Sequence, residues 1–583
     1  MPVYQMQQAE IWEEDEPQGG QLEAEVDACR EVKSNYRNRV RHFLRTSGIA
    51  HISEMEYGLR IEYEKYLMQT EKQSLHNLCL NAFDRIKLHS MKEEMRTLAG
   101  KRKYTFDFAE RIIFLPYYPK IEIAEHFQSA RRKRDLVWDF TIPCDEKLKR
   151  QIFLILNQLV MAGEETWEEK EKLAALKFLY EFCILTGISD IDEMTLDDEA
   201  AFKSYLPQSM NERKRKRACG IIGFSRKHLF QQSAEINWKA NVWYLERFYF
   251  SRERINPSKP VDSFSFREIT YEGNRNLLKK YMRYALGITD LSINTIRIKF
   301  LDIRKFLQAF DQPQKPAFEL TAGDVDAYLK ELQKMDNMEK TFNGQLFSIV
   351  QFYNFLLVKG YMERIPFRHE YYLQKEIPMH HDRSVRDEVC GEIFEKLENF
   401  PEHLRLMFLH LWCVGLRCSE VCTLQGDAYE WKNGDAWIKV YQIKMKNYKR
   451  IPIPEALYQL MQVYIQKHHI RQEDYLFQNT KGGAFRYATF RSQMLRCCEE
   501  NQIADGDYLF KSHDYRHNLA TLYYDRGISI QAIRDYLGHD YEEMTRQYVD
   551  FMPKKLEKAN EEYFSNPEHS LADELMKGEQ DGD

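Results

Sequence analysis

In the C-terminal half of the chain, residue types that could act on a phosphate ester follow one another in a fixed order. Gly415-Leu416-Arg417-Cys418-Ser419-Glu420 comes first, then His513-Asp514-Tyr515-Arg516-His517, then Leu537-Gly538-His539, and Tyr548 lies nine residues beyond His539. Breaking a phosphodiester with a protein hydroxyl makes three demands. The nucleophile needs an oxygen and a route for its proton. The non-bridging oxygens need cations that hold extra charge in the transition state. The leaving 5′-hydroxyl needs an acid. Arg417 and Arg516 suit the phosphate, because a guanidinium fork donates two parallel hydrogen bonds. His513 and His539 can donate to a phosphate or shuttle a proton near neutrality, and Tyr548 supplies a hydroxyl.

The surrounding pattern says what must position these groups. Arg417 sits at the start of a helix whose Val421 and Leu424 pack inward, leaving the guanidinium at the helix entrance. His513 and Arg516, three apart, share one helical face. His539 follows Gly538 at a turn, and the spacing to Tyr548 leaves room for a loop and a helical turn. Between the arginine segments, Trp437, Ile438, Val440, Tyr441 and Ile443 precede the basic stretch Lys444 to Arg450, and Ile451-Pro452-Ile453-Pro454 follows it. Two β-prone runs around a polar turn predict a hairpin that offers Lys444, Lys446 and Lys449 as proton donors.

Upstream lies an internal repeat. Met55, Tyr63 and Leu67 have spacings of 8 and 4, which recur in Met194, Phe202 and Leu206 and again in Leu320, Tyr328 and Leu332. Gly48-Ile49, Ile52 and Glu54 match Gly187-Ile188, Ile191 and Glu193 at the same offsets. His42-Phe43-Leu44, Lys177-Phe178-Leu179 and Lys305-Phe306-Leu307 end the helical stretch before each copy. Thr195 and Thr321, each three residues before an Asp, predict helix N-caps. Each copy predicts a small helical bundle.

Composition sets outer bounds. The chain has 583 residues, 43% hydrophobic and 13% aromatic, which is enough for several packed domains. No apolar run approaches the ~18 residues of a membrane span, and the start lacks a secretion-signal pattern, so a cytoplasmic protein is expected. The 11 cysteines form no CxxC pair and no zinc-like spacing, so no metal is expected. The absence of a P-loop pattern predicts no nucleotide cofactor. The net charge of −6 hides local basic runs at Arg131–Arg134, Arg213–Arg217 and Lys444–Arg450. Arg213, Lys214, Arg215, Lys446 and Arg450 are the candidate DNA contacts, because DNA is gripped by local basic surface rather than net charge.

Taken together, the segment from Gly415 to Val421, the lysine hairpin, His513 to His517, Leu537 to His539 and Tyr548 resemble the catalytic domain of the tyrosine recombinases, the phage integrase family. The third helical repeat resembles that family's core-binding domain. The resemblance implies that Tyr548 attacks the scissile phosphate and forms a 3′-phosphotyrosine link. Arg417 and Arg516 would hold the phosphate with His539 as a further donor. His513 would assist proton transfer, and Lys444, with Lys446 as second choice, would protonate the leaving oxygen. Glu420 would buttress Arg417, and His517 would support the site from behind. Tyr515 stands where the family commonly has an apolar residue such as leucine. The energy of the broken bond is kept in the phosphotyrosine, so no cofactor is implied. The implied partners are specific sites in double-stranded DNA and further copies of the chain, as a tetramer on DNA in the bacterial nucleoid. A DNA-binding accessory role with an idle site fits less well because the whole residue set is present. A type IB topoisomerase fits less well because of the repeated modules and the histidine–glycine signature.

The expected class is therefore mainly α, with small helical bundles followed by a mostly helical catalytic domain with a small β-sheet. The expected order is an acidic disordered tail over 1–26, helical modules over 27–125 and 126–265, a core-binding domain over 266–376, the catalytic domain over 377–566 and an acidic tail over 567–583.

Overall fold

The residue spacing shared by the three repeats corresponds to one local device built three times. In each repeat a short 3-10 turn precedes a helix: Ile52–Glu54 before Tyr57–Thr70, Ile191–Glu193 before Leu196–Tyr205, and Ala317–Glu319 before Ala322–Gln333. Met55, Tyr63 and Leu67 are buried, as are Met194, Phe202 and Leu206 and, in the third repeat, Leu320 and Leu332. Thr195 and Thr321 cap their helices as the sequence predicts, each accepting a hydrogen bond from the N–H three residues on (3.3 Å to Asp198 and 3.3 Å to Asp324). Such a cap contributes about 1 kcal/mol. Glu56 at the matching place in the first repeat makes no side-chain cap.

The longest helix of each repeat then fastens the 3-10 turn with a different polar group. Lys87 Nζ donates to Ser53 O (2.8 Å), Arg226 donates to Ile191 O (3.1 Å) and Met194 O (2.7 Å), and Tyr353 OH donates to Ala317 O (3.0 Å). The role is kept while the side chain changes, so the repeat reaches further than its residue identities suggest.

The computed structural model describes residues 19–103, 111–130, 133–161, 167–335, 338–376, 385–539 and 545. The chain divides into two units after Arg247, ahead of the boundary expected at 265. In the first unit one core lies among Ser34–Thr46, Tyr57–Thr70 and Gln73–Glu94, and a second lies among Glu146–Met161, Trp167–Thr186, Leu196–Tyr205 and Glu212–Gln232. Two short antiparallel strands, Ile112–Phe114 and Val137–Asp139, lie between these helix sets in sequence. The tail expected over 1–26 ends sooner: a helix starts at Gly19, and its Leu22 and Val26 are buried in the first core. The remainder of that tail and the whole of 567–583 lie outside the described residues. Buried Asp84 draws Lys133 of the Arg131–Arg134 run inward at 2.7 Å, beside Arg60 at 2.7 Å, while Arg131 and Arg132 are outside the described residues.

The second unit begins with the third module: Glu272–Gly287, Ile293–Gln308, Ala322–Gln333 and Glu339–Val358. After residue 385 come the helices Asp387–Glu395, Glu402–Cys413, Cys418–Val421, Glu455–Lys467, Tyr487–Glu500 and Ser512–Asp525 around one hydrophobic core, and Ile530–Leu537, whose Ile533 and Leu537 form a smaller cluster with Ala520. The small sheet is antiparallel, with Asp435–Gln442 paired on one side to Tyr429–Lys432 and on the other to Asn447–Pro452. The basic turn is thus shorter than the sequence predicts. Tyr441 pairs with Tyr448 and Gln442 with Asn447, so Lys449 and Arg450 belong to a strand rather than to the turn. Among the described residues no helix is long and apolar enough to cross a membrane.

Candidate active site

The chain reverses direction at Gly415 and again at Gly538, both in the left-handed region (φ +65° and +70°). A Cβ on Gly415 would lie 2.8 Å from Leu519 Cδ2, and one on Gly538 would lie 2.2 Å from Gln442 Nε2. Glycine meets both demands: it takes positive φ without steric penalty and lets neighbours close in. These turns leave backbone carbonyls facing the middle of the domain, and the cations fasten onto them.

Arg516 lies on Ser512–Asp525, the helix that packs on Glu402–Cys413, and is fully buried. Its Nη1 donates to Gly415 O (2.7 Å) and its Nη2 to Leu537 O (2.6 Å), with His539 Nε2 at 2.9 Å. Because Arg516 can only donate, Nε2 of His539 is the acceptor, and Nδ1–H faces Thr545 Oγ1 at 2.9 Å. Burial, then the positive charge of nearby Arg516, Arg417 and Lys449, holds the His539 imidazolium down at about 3. His539 is therefore a neutral ring of fixed tautomer, the state in which it can donate a hydrogen bond without carrying charge.

Arg417 precedes the short helix Cys418–Val421, and Glu420 folds back on it. The carboxylate accepts from the Arg417 backbone N–H (2.9 Å) and from Nη1 (2.8 Å), and Nη2 lies 3.4 Å from Gly538 O. Glu420 is 1% exposed, and burial alone would raise its pKa. Lys449, Arg516 and Arg417 more than offset that and keep it below the usual carboxylate range.

The third cation of the cluster is Lys449. Along Asn447–Pro452 the even positions Tyr448, Arg450 and Pro452 are exposed, while Lys449 and Ile451 turn inward, as strand alternation requires. Lys449 Nζ reaches Leu537 O (3.3 Å) and Tyr536 O (3.4 Å), so Lys449 and Arg516 share one carbonyl. Burial lowers its pKa to about 8, with Glu420 opposing and the two arginines adding to the shift.

The structure therefore brings together Arg417, Arg516, His539 and Glu420, with His513 exposed at the helix start and its ring 5.3 Å from that of the buried His517. Lys444 and Lys446 are both exposed on the turn, and Lys446 takes a left-handed φ of +56° with its Nζ 3.5 Å from Asp290 O. Arg450 pairs with Glu430 at 3.3 Å on the opposite side of the strand from Lys449. In the first unit Arg213 and Lys214 are exposed, whereas Arg215 donates to Lys203 O (3.0 Å) and Pro207 O (3.2 Å) and so braces its own loop. Tyr548 lies outside the described residues; Thr545, three residues before it in the chain, is buried against His539. The place of Lys449 in the cluster was missed by sequence reasoning, and the parity of Ile451 and Ile453 was the signal that could have found it.

Residues 383–554 match the phage integrase family. Transposase B from transposon Tn554 of Staphylococcus aureus (strain Mu50) is 27% identical over 329 residues, 55% of this chain and 52% of that protein. The chain thus spans about half the length of the first curated relatives it matches, 52% in each case. A tyrosine recombinase of Pseudothermotoga lettingae is 23% identical over 281 residues, covering 47% of this chain and 93% of that one. Among solved structures, the Tn1549 transposon integrase in complex with transposon right end DNA covers 50% of this chain and 99% of its own, at 15% identity and a TM-score of 0.39. The matched stretch is the one that holds both arginines, His539 and the hairpin.

Proposed function

We propose that this chain is a site-specific DNA recombinase of the transposase or integrase kind, which cuts and rejoins DNA through Tyr548. The observation that carries the reading is the convergence of Arg417, Arg516 and neutral His539 on the carbonyls and turn at 537–539. On this reading the two guanidinium groups are the phosphate donors, and His539, accepting from Arg516, orients that one. The Tyr548 oxygen attacks the scissile phosphorus, the tyrosine–phosphate bond forms, and the bond to the 5′-oxygen breaks. His513 receives the tyrosine proton, and the two guanidinium groups hold the non-bridging oxygens as charge builds on them.

The leaving oxygen takes its proton from the hairpin. Lys444 keeps that role in our reading because its exposed side chain, on a turn, can move with the substrate. Lys449 is held by two carbonyls and acts instead as a fixed cation beside Glu420. Rejoining reverses these steps with another 5′-hydroxyl, so no metal or nucleotide is required. The partner is duplex DNA in the bacterial cytoplasm, with the chain acting as a tetramer on paired sites. The helical modules of the first unit add DNA contacts through exposed Arg213 and Lys214.

The test is an SDS-resistant protein–DNA adduct on a nicked duplex taken from the DNA flanking the gene. The wild type forms it, and Tyr548→Phe does not. An adduct of undiminished yield with Tyr548→Phe would remove the tyrosine from the mechanism.

A further inference from the structure

The segment that opens the second unit runs along the catalytic domain before it enters the third helical module. Ser258 is buried and its O accepts from Tyr487 N–H at 2.9 Å, while Lys259 Nζ lies 3.9 Å from the centre of the Tyr487 ring. Arg252, six residues earlier, has its guanidinium 5.1 Å from the Tyr441 ring centre and 6.0 Å from that of Tyr448. The same guanidinium donates to Gln425 Oε1 at 3.1 Å. Tyr441 and Tyr448 are directly paired across the hairpin, with ring centres 5.0 Å apart, and they close the base of the turn that carries Lys444 and Lys446.

Two residues further on, Arg254 faces the other way. It donates to Ala285 O (3.3 Å), Leu286 O (2.9 Å) and Leu291 O (3.0 Å), which fastens the turn after the helix Glu272–Gly287. Lys446 from the hairpin reaches Asp290 O in that same turn at 3.5 Å. Arg252 and Arg254 end the same short 3-10 turn, in which side chains two positions apart point to different sides, so Arg252 reaches the hairpin, Arg254 reaches the helical module, and the hairpin turn is held from both sides.

We propose that Arg252 is a positioning residue for the hairpin turn: residues 250–262 form a strap that holds Lys444 and Lys446 in a resting position against the third module until DNA replaces that contact. The proposal rests on the recombinase reading above and concerns how its proton donor is kept waiting. In the held position both turn lysines are exposed, and the lysine that lies within the arginine–histidine cluster is Lys449. Release of the turn is then part of each cleavage event. It bears on the one step that needs a proton at the leaving oxygen and leaves the phosphate grip unchanged.

The full-length chain tests this in two measurements. Without DNA, amide exchange across residues 441–448 is compared in wild type, Arg252→Ala and Arg252→Lys. Arg252→Ala is expected to exchange about two- to fivefold faster, while Arg252→Lys, which keeps a cation over the tyrosine pair, stays near wild type. Adduct formation is then timed on two nicked duplexes, one with the natural 5′-oxygen and one with sulfur at that bridging position. Sulfur leaves without being protonated, so only the oxygen substrate reports on the lysine. Arg252→Ala should be about two- to fivefold faster than wild type on oxygen and equal to it on sulfur. Unchanged exchange overturns the proposal, as does slower cleavage of the oxygen substrate or the same rate change on both substrates. If the wild type forms no adduct on either duplex, the recombinase reading fails, and the exchange measurement alone decides whether the strap holds the hairpin.

Discussion

The arginine–histidine centre and the lysine hairpin sit in one domain but are held by opposite means. Arg516 is fully buried, and its donors end on Gly415 O, Leu537 O and His539. Lys444 is exposed on a turn, and its neighbour Lys446 makes only a 3.5 Å contact with a carbonyl of another module. Buried donors tied to backbone are aligned before any substrate arrives and need no reorganisation when charge develops. A proton donor has a different task, because it must reach an oxygen that is leaving. In the proposed reaction the difference teaches which part tolerates motion: the grip on the phosphate does not, and the delivery of the proton does.

The hardest test of that contrast is Arg516→Ala. It removes a proposed phosphate donor, leaves Gly415 O without the side chain that fastens it, and leaves Leu537 O with Lys449 alone. Adduct formation should fall by about 10³-fold, and thermal unfolding should show a loss of about 3 kcal/mol, since buried groups stripped of a charged partner are expensive. If activity vanished with stability intact, the centre would not be the rigid block described above. Lys444→Ala should show the converse split. Loss of the proposed general acid should lower the rate by about 10²-fold on the oxygen substrate, while stability stays within about 0.5 kcal/mol, as expected for an exposed residue. Rates on the sulfur substrate should match the wild type.

The two parts were also unequally legible in the sequence. Arg417, His513, Arg516 and His539 stand in short motifs whose helices and glycine turns follow from local spacing, and the geometry brings them together as those motifs suggest. The hairpin depended on something local composition does not give, the residue at which a turn ends. Placing that turn at 443–446 rather than through Arg450 moves Lys449 onto a strand, and strand parity then aims it at Glu420 and the arginines. The charge runs misled for a related reason. Arg215 and Lys133 look like their neighbours in sequence, but one turns back to carbonyls of its own loop and the other to buried Asp84. Position in the fold, not residue type, decides which cations of a run stay exposed. In the repeats, the core positions and the threonine caps were readable. The exchange of Lys87, Arg226 and Tyr353 in one role was not, because their common feature is a contact rather than an identity.

His539→Gln separates charge from geometry inside the centre, since glutamine can also accept from Arg516 and donate to Thr545. Folded His539 binds its proton only near pH 3, whereas the unfolded chain binds it near its ordinary 6.5. As pH falls through that window the unfolded state takes up the proton first, so stability is lost on the acid side and is full above it. The wild type should lose about 2 kcal/mol from this group between neutrality and pH 5, and His539→Gln should lack that part of the loss. Melting curves at matched ionic strength read the difference.

Lys449 is the residue that could belong to either part, and the smallest predicted effects are the ones that assign it. Its folded pKa of about 8 lies below the ordinary 10.5, so the charged form is disfavoured by folding. That penalty is present in full below pH 8 and fades as pH rises through the window from about 8 to 10.5, where the folded state sheds its proton before the unfolded chain does. Lys449→Met keeps the apolar stem and removes the buried charge, so it should gain about 1 kcal/mol over the wild type near pH 7 and lose that advantage by pH 10.5. The lost bonds to Tyr536 O and Leu537 O act in the other direction and keep the gain small. Activity makes the assignment. A fixed cation on the phosphate matters whatever atom leaves, so Lys449→Met should slow the oxygen and sulfur substrates alike, by about tenfold. If only the oxygen substrate slowed, Lys449 would be the proton donor, the rigid cluster would contain its own acid, and the contrast between a fixed grip and a moving donor would collapse into a single preassembled site.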